Sequence, residues 1–226
     1  MNAGKQGASD CSSVGWPVLL EPQPTYLDYF DLDGADIYAP QLGGTGITQR
    51  RTGSRIRTPV IRNNVLWTCQ HVGLAGTAGI YGGNETGSTV DRSAVQWLEL
   101  QLNSTGTPLT HIAHGRIYDT AASLPYYYYM PSLMVNTNGD MVIGFSGSKT
   151  NEYVGAFYVG RLASGTTFGS PTLVQAGRAY FIGRVQWGAY SYTSLDPVDG
   201  SFWTVQEYAE SLIGDNRGTW VTKINH

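Results

Sequence analysis

Residues 133–145 read Leu133-Met134-Val135-Asn136-Thr137-Asn138-Gly139-Asp140-Met141-Val142-Ile143-Gly144-Phe145. An apolar run meets a cluster of Asn, Gly and Asp, residue types that accept positive φ, and a second apolar run follows. That order predicts a β-hairpin. It returns at Val60-Ile61-Arg62-Asn63-Asn64-Val65-Leu66-Trp67 and again at Thr193-Ser194-Leu195-Asp196-Pro197-Val198-Asp199-Gly200-Ser201-Phe202-Trp203. A further strand signal follows each hairpin, opening at Ala94, Ala156 and Thr219, so the unit recurs every 62 or 63 residues. Short strands repeated at such a period are what propeller blades produce. The expected fold is therefore all-β, a β-propeller of four-stranded antiparallel blades with about three to four blades in this chain.

The rest of the chain reads the same way. Strand signals stand at 26–32 (YLDYFDL), 59–72, 94–102, 111–118, 132–135, 141–146, 156–162, 172–175, 190–195, 202–208 and 219–225, nearly all bounded by Gly, Asn, Asp or Pro. In 94–102 (AVQWLELQL) alternation groups Val95, Trp97, Leu98 and Leu100, and turns Glu99 and Gln101 to water. The best helical candidate, 207–213, spans two turns at most. Residues 1–15, rich in Gly, Ser, Lys and Gln, are expected to form a flexible tail, and 16–226 a single domain.

Composition agrees: 29 glycines among 226 residues and only 14% charged residues describe a chain of many turns and few solvated helices. Lys+Arg 14 against Asp+Glu 17 leaves a net charge of −3, so no nucleic-acid or membrane-surface partner is expected. Runs such as GWPVLL fall far short of the 18 or so apolar residues of a membrane span, and MNAGKQGASDCSS lacks the apolar core of a secretory signal. The two cysteines, Cys11 and Cys69, allow either one bridge or a buried free thiol at Cys69 beside a solvent-exposed Cys11.

Several ordered motifs carry a family resemblance. Residues 92–97 (RSAVQW), 115–118 (GRIY), 130–140 (MPSLMVNTNGD) and 144–146 (GFS) are similar to bacterial sialidase-like, BNR-repeat-like β-propeller proteins. Residues 184–191 (RVQWGAYS), 196–200 (DPVDG), 202–208 (FWTVQEY) and 218–220 (GTW) resemble the C-terminal blade of the same family. The resemblance spans roughly residues 50–225 and implies a module of an exported bacterial protein, in a family whose propellers serve many roles. Ala189 stands where similar proteins usually carry an acidic residue. The family's Asp-box turn is only approximated by Asp199-Gly200-Ser201-Phe202-Trp203, and a structural role is expected for Asp199 and Trp203.

Catalytic chemistry is not expected. A sialidase-like hydrolase, the rival reading, needs an arginine cluster, a tyrosine activated by a glutamate and an acid/base carboxylate. Glu207 and Tyr208 are adjacent, and neighbours on a strand face opposite sides. His111-Ile112-Ala113-His114 is the one histidine pair with ligand-like spacing, but i and i+3 of a regular strand also face apart, so no shared metal is expected. No Gly-x-Ser-x-Gly elbow, Walker A loop or dinucleotide fingerprint occurs; Gly43-Gly44-Thr45-Gly46 reads as a flexible connection, and no cofactor is expected.

Binding is the leading function, with a glycan or a protein as ligand. Tyr126, Tyr127, Tyr128 and Tyr129 would place two rings on each side of an extended run, one side core and the other a stacking platform. The resemblance adds Arg184, Trp187, Tyr190, Glu207 and Tyr208 as candidates. The basic cluster Arg50, Arg51, Arg55, Arg57 and Arg62 reads as a solvated rim, and the Asn84 and Asn103 sequons carry no weight by themselves. Three and a half blades cannot close a ring, so the chain is expected to be a homo-oligomer or a fragment of a longer propeller.

Overall fold

A computed structural model describes residues 38–44, 46–48, 56–57, 59–74, 91–102, 110–182, 187–188, 190–211 and 216–225. The expected tail, the 26–32 strand, Cys11, Arg50, Arg51, Arg55, both sequons, Arg184, Ala189 and His226 lie outside them. Among the described residues there is no helix. Thirteen strands form three consecutive antiparallel meanders and a short ribbon. The ribbon pairs β1 (Tyr38–Ala39) with β2 (Ile47–Thr48). The first sheet holds β3 (Val60–Arg62), β4 (Val65–Leu74), β5 (Arg92–Gln101) and β6 (Thr110–Ile117). The second holds β7 (Tyr127–Val135), β8 (Met141–Lys149), β9 (Glu152–Arg161) and β10 (Thr172–Gln175). The third holds β11 (Tyr192–Leu195), β12 (Phe202–Ser211) and β13 (Asn216–Ile224).

The three hairpins stand where the repeat placed them, each held by its own turn chemistry. Asn63 and Asn64 have φ of 50° and 60°, the type I′ geometry that matches strand twist. In the second sheet, Asn136 Oδ1 accepts the amides of Asn138 and Asp140, both at 2.9 Å, while Gly139 takes φ 92°. Asp140 accepts the Ala163 amide at 2.8 Å, tying this turn to the next. In the third sheet Asp196 accepts the Val198 amide, Asp199 accepts the Ser201 amide, and Trp203 Nε1 donates to Asp196 at 3.2 Å. Asp199 and Trp203 thus serve the turn. Asn63 Nδ2 donates to the Thr137 carbonyl, so the turns of the first two sheets lie side by side.

Strand alternation gives the second sheet two unlike faces. One face sends Tyr128, Leu133, Ile143, Phe145, Phe157 and Val159 against Trp67, Cys69, Val95, Trp97 and Ile117 of the first sheet, forming the main apolar core. The other face is polar at its centre: Ser132 meets Thr193 at 2.7 Å, Gln206 Nε2 donates to Ser132 and Thr204, and Ser146 donates to the Glu207 carbonyl. Gly144 permits this approach, since a Cβ there would overlap Thr204 Oγ1 and the Gln206 amide. Apolar clusters flank the polar layer, Val142, Phe202 and Ile224 on one side, and Tyr129, Met130, Phe181 and Trp187 with Ala39 and Ile47 of the ribbon on the other.

Two expectations need correction. Glu99 does not face water: β5 is buried on both faces along most of its length, and Glu99 is paired with Arg161 of the second sheet at 3.1 Å. Nor do His111 and His114 face apart. Glu99 pairs with Ala113 and Leu100 with His111, so Ile112 is an extra residue in β6, a β-bulge that turns both imidazoles to one side.

Cys69 is a buried free thiol, and burial pushes it up to about 12. Beside it, burial, aided by the nearby Arg57 cation, pushes the His71 imidazole down to about 3 from an ordinary 6.5. The unfolded chain takes up that proton near pH 6.5 and the folded chain does not. Stability is therefore fully present above pH 6.5 and falls as pH drops toward 3, with His114, whose value is also lowered, adding in the same sense. Asp196 and Asp199 are held below their ordinary 3.8, so their contribution is lost only at more acid pH. Urea midpoints should fall between pH 7 and 5; equal midpoints at the two would refute the assignment.

Candidate functional site

The tyrosine run enters the second sheet at the end opposite the hairpin turns. Its approach is pinned: Arg92 donates to the carbonyls of Asp119 and Ala121 at 2.6 and 2.9 Å, and the Asp119 carboxylate accepts the amides of Ala121 and Tyr126 at 2.9 Å. Tyr126 is thereby laid flat on Tyr128, ring centroids 5.6 Å apart and 11° from parallel. Lys149 Nζ sits 4.3 Å from the Tyr126 ring centroid and 2.9 Å from Glu152 Oε1, and the Tyr126 hydroxyl donates to Glu152 Oε2.

These groups bias one another. Burial, reinforced by the hydrogen bond to Glu152 and its charge, pushes the Tyr126 phenol up. Burial works to raise Glu152 as well, but the Tyr126 hydroxyl and the Lys149 ammonium outweigh it and hold the carboxyl below its ordinary 4.5. The result near neutral pH is a carboxylate and a protonated phenol, a fixed acceptor beside a spent donor.

Glu152 opens on a cavity of about 160 Å³, lined also by Leu42, Asn151, Tyr153, Phe157, Leu173 and Gly177. Its wall is anchored by backbone and side-chain bonds: Leu42 N donates to the Glu152 carbonyl at 3.1 Å, and the Gln41 amide exchanges two bonds with the Phe181 backbone at 2.7 and 2.9 Å. The volume is below the roughly 300–1,000 Å³ of pockets for drug-sized ligands. It admits a group of about one ring.

The other candidates are placed differently. Alternation along the tyrosines holds, but both sides are core: Tyr128 packs in the main cluster, Tyr129 is fully buried with its hydroxyl 3.0 Å from Ser148 Oγ, and Tyr127 lies half-buried against the second cluster. Burial pushes the Tyr127 phenol up to about 12. Trp187 is fully buried and donates to Ser146 Oγ at 3.0 Å. Glu207, also buried, accepts the Gly188 amide at 3.1 Å and lies 3.4 Å from Arg217 Nη1. Trp187 and Glu207 are thus brought together, in the interior. Tyr208 meets Trp220 edge-on at 6.3 Å and bonds to Glu210, which raises its phenol; Glu210 is itself paired with Arg178 at 2.6 Å. Tyr190 is 81% exposed, away from any of these contacts.

Among the described residues two tyrosine–glutamate pairs stand out, and neither is the adjacent pair 207/208. The pairing of Tyr208 with Glu210 follows the i, i+2 rule of a strand and was open to a reading by period. Tyr126, just before β7, reaches Glu152 of β9 past the end of β8, and Tyr153 joins the cavity from the next position; no local pattern marks either. No family model matches this chain, and no curated protein matches it either.

Proposed function

We propose that the chain is a non-catalytic β-propeller module of sialidase-like type, which binds a glycan at the Glu152 cavity as part of a larger or oligomeric assembly. The observation that carries the binding site is a one-ring cavity lined by the polar residues Glu152 and Asn151 and by Tyr153 and Leu173. A pyranose presents the matching surface, C–H groups for the aromatic wall and hydroxyl donors for the carboxylate. Three successive meanders with equivalent hairpins support the blade reading. The assembly is supported by the outward face of the third sheet, where Tyr192, Val205 and Val221 stand abreast, the outer two 58% and 55% exposed. An adjoining blade, from a longer chain or a second copy, would cover it.

A glycan array followed by calorimetry on the best hit tests the proposal. Hydrogen bonds to a charged group contribute about 1.5–3 kcal/mol, so Glu152→Gln should weaken binding at least about tenfold. Tyr153→Ala should do the same with the melting curve retained. Absence of any glycan hit, or unchanged affinity in both variants, would sink the reading. The rival hydrolase rests on the Tyr126–Glu152 pair; turnover of a chromogenic glycoside that disappears in Tyr126→Phe would establish it instead.

A further inference from the structure

The bulge in β6 builds a second site, far in character from the glycan cavity. Ile112 is squeezed out of register and left 46% exposed, and the two flanking histidines are rotated onto one side of the strand. His111 Nε2 and His114 Nδ1 stand 2.8 Å apart, with ring centroids 4.9 Å apart and planes inclined by 52°. Without the bulge, i and i+3 would point to opposite faces. The backbone irregularity thus does one visible thing, which is to bring two imidazole nitrogens within hydrogen-bond distance of each other.

We propose that His111 and His114 form a cis-chelating site for a divalent transition-metal ion that prefers right-angled coordination, copper(II) first and nickel(II) next. The distance makes the choice. Imidazole nitrogens bind such ions at about 2.0–2.1 Å, so two ligands at 90° lie about 2.8–3.0 Å apart, whereas a tetrahedral ion separates them by about 3.3–3.4 Å. The observed 2.8 Å, an N–H···N hydrogen bond in the metal-free pair, leaves the two nitrogens at the right-angled spacing. Position allows access as well: β6 is the outer strand of the first sheet, His114 is exposed and His111 half-buried.

Binding exchanges the hydrogen bond for two metal–nitrogen bonds, and both rings must turn to aim their lone pairs at one ion. In the metal-free pair one imidazole donates its N–H to the other. On binding, the donor ring moves that proton to its far nitrogen, the two rings turn so that both freed lone pairs face the ion, and the ion gives up two waters; no proton is released and no electron moves. Among the described residues no group of three or more His, Cys, Asp or Glu forms a metal cluster, so the remaining coordination positions fall to water or to an added ligand.

The test uses the full chain and copper(II) chloride alone, read by calorimetry and electron paramagnetic resonance. One equivalent should bind with superhyperfine structure from two imidazole nitrogens, and zinc(II) should bind at least about tenfold more weakly. His111→Ala and His114→Ala should each weaken copper binding by about tenfold or more, with the double variant little worse than either single one, because a chelate is lost at the first step. Unchanged melting curves would show that the edge substitutions leave the fold intact, and His114→Gln serves if the alanine variant does not fold. Copper binding unaltered in both single variants, a one-nitrogen spectrum, or zinc binding tighter than copper would overturn the proposal.

Discussion

Arg161→Ala is expected to destabilise the fold by about 3–5 kcal/mol, the cost of leaving one member of a buried ion pair without its partner. Arg161 closes β9 of the second sheet, and its guanidinium reaches Glu99 of the first at 3.1 Å, with 7% and 11% of the two side chains exposed. The cation also lies 4.7 Å from the Trp97 ring, 5.6 Å from Trp67 and 5.7 Å from Phe168. Each aromatic contact adds a fraction of a kcal/mol to about 2 kcal/mol when desolvated. Alanine would remove the charge, the guanidinium that lies over the tryptophan rings, and the bridge between two sheets. The pair itself is another matter, since buried ion pairs replaced together by neutral groups of similar volume are often neutral or stabilising. Glu99→Gln combined with Arg161→Met should therefore recover most of the loss. Urea unfolding of the single and double variants measures both; a single-variant cost under about 1 kcal/mol would show that the pair is solvated.

What separates legible from illegible here is the range of the cause. Hairpins are local, and the Asn63-Asn64 turn, the Asn136-centred turn and Asp199-Gly200 declare themselves in a handful of residues. Strand faces are legible while one side is wet. β5 lies under cover on both sides, so alternation of polar and apolar residues no longer tells inside from outside, and the period-two pattern turns Glu99 to water although its partner stands 62 positions away. The bulge at Ile112 is a property of the register between β5 and β6 and leaves no mark in either strand alone. Period-two reasoning then assigns His111 and His114 to opposite faces, correctly for a regular strand and wrongly for this one.

The candidate site shows the same division. Tyr126 could be selected because four aromatics in a row are conspicuous, yet what makes it useful is Glu152, delivered by the return of the chain through a two-residue turn. Tyr153 lines the cavity, is half-buried and sits in an ordinary strand context. Conspicuous aromatics are more often claimed by the core, since Phe, Tyr and Trp bury 150–250 Å² each; Tyr128, Tyr129 and Trp187 were all claimed in this way.

Trp187→Ala follows from that point and separates a structural tryptophan from a ligand-stacking one. The side chain has no exposed surface, packs edge-on against Phe181 at 4.9 Å and 77°, and holds the cluster in which Tyr129, Met130, Val154 and Ala209 meet the ribbon. Its indole N–H donates to Ser146 Oγ, which donates in turn to the Glu207 carbonyl, so the ring is one link in the bond chain between the second and third sheets. Gly188, next in sequence, takes φ 68° and passes its amide to the Glu207 carboxylate, with Met130 occupying the space a Cβ would need. Truncating a fully buried tryptophan costs about 3–5 kcal/mol. Trp187→Phe should cost less: it keeps much of the ring and loses the hydrogen bond, a deficit of about 1 kcal/mol plus the cost of the small cavity left by the shorter side chain. Thermal melts of the two variants should rank in that order, and glycan affinity per folded molecule should be unchanged in both. A Trp187→Ala variant that melts with the parent protein while losing its ligand would place the indole in the binding surface and remove it from the core.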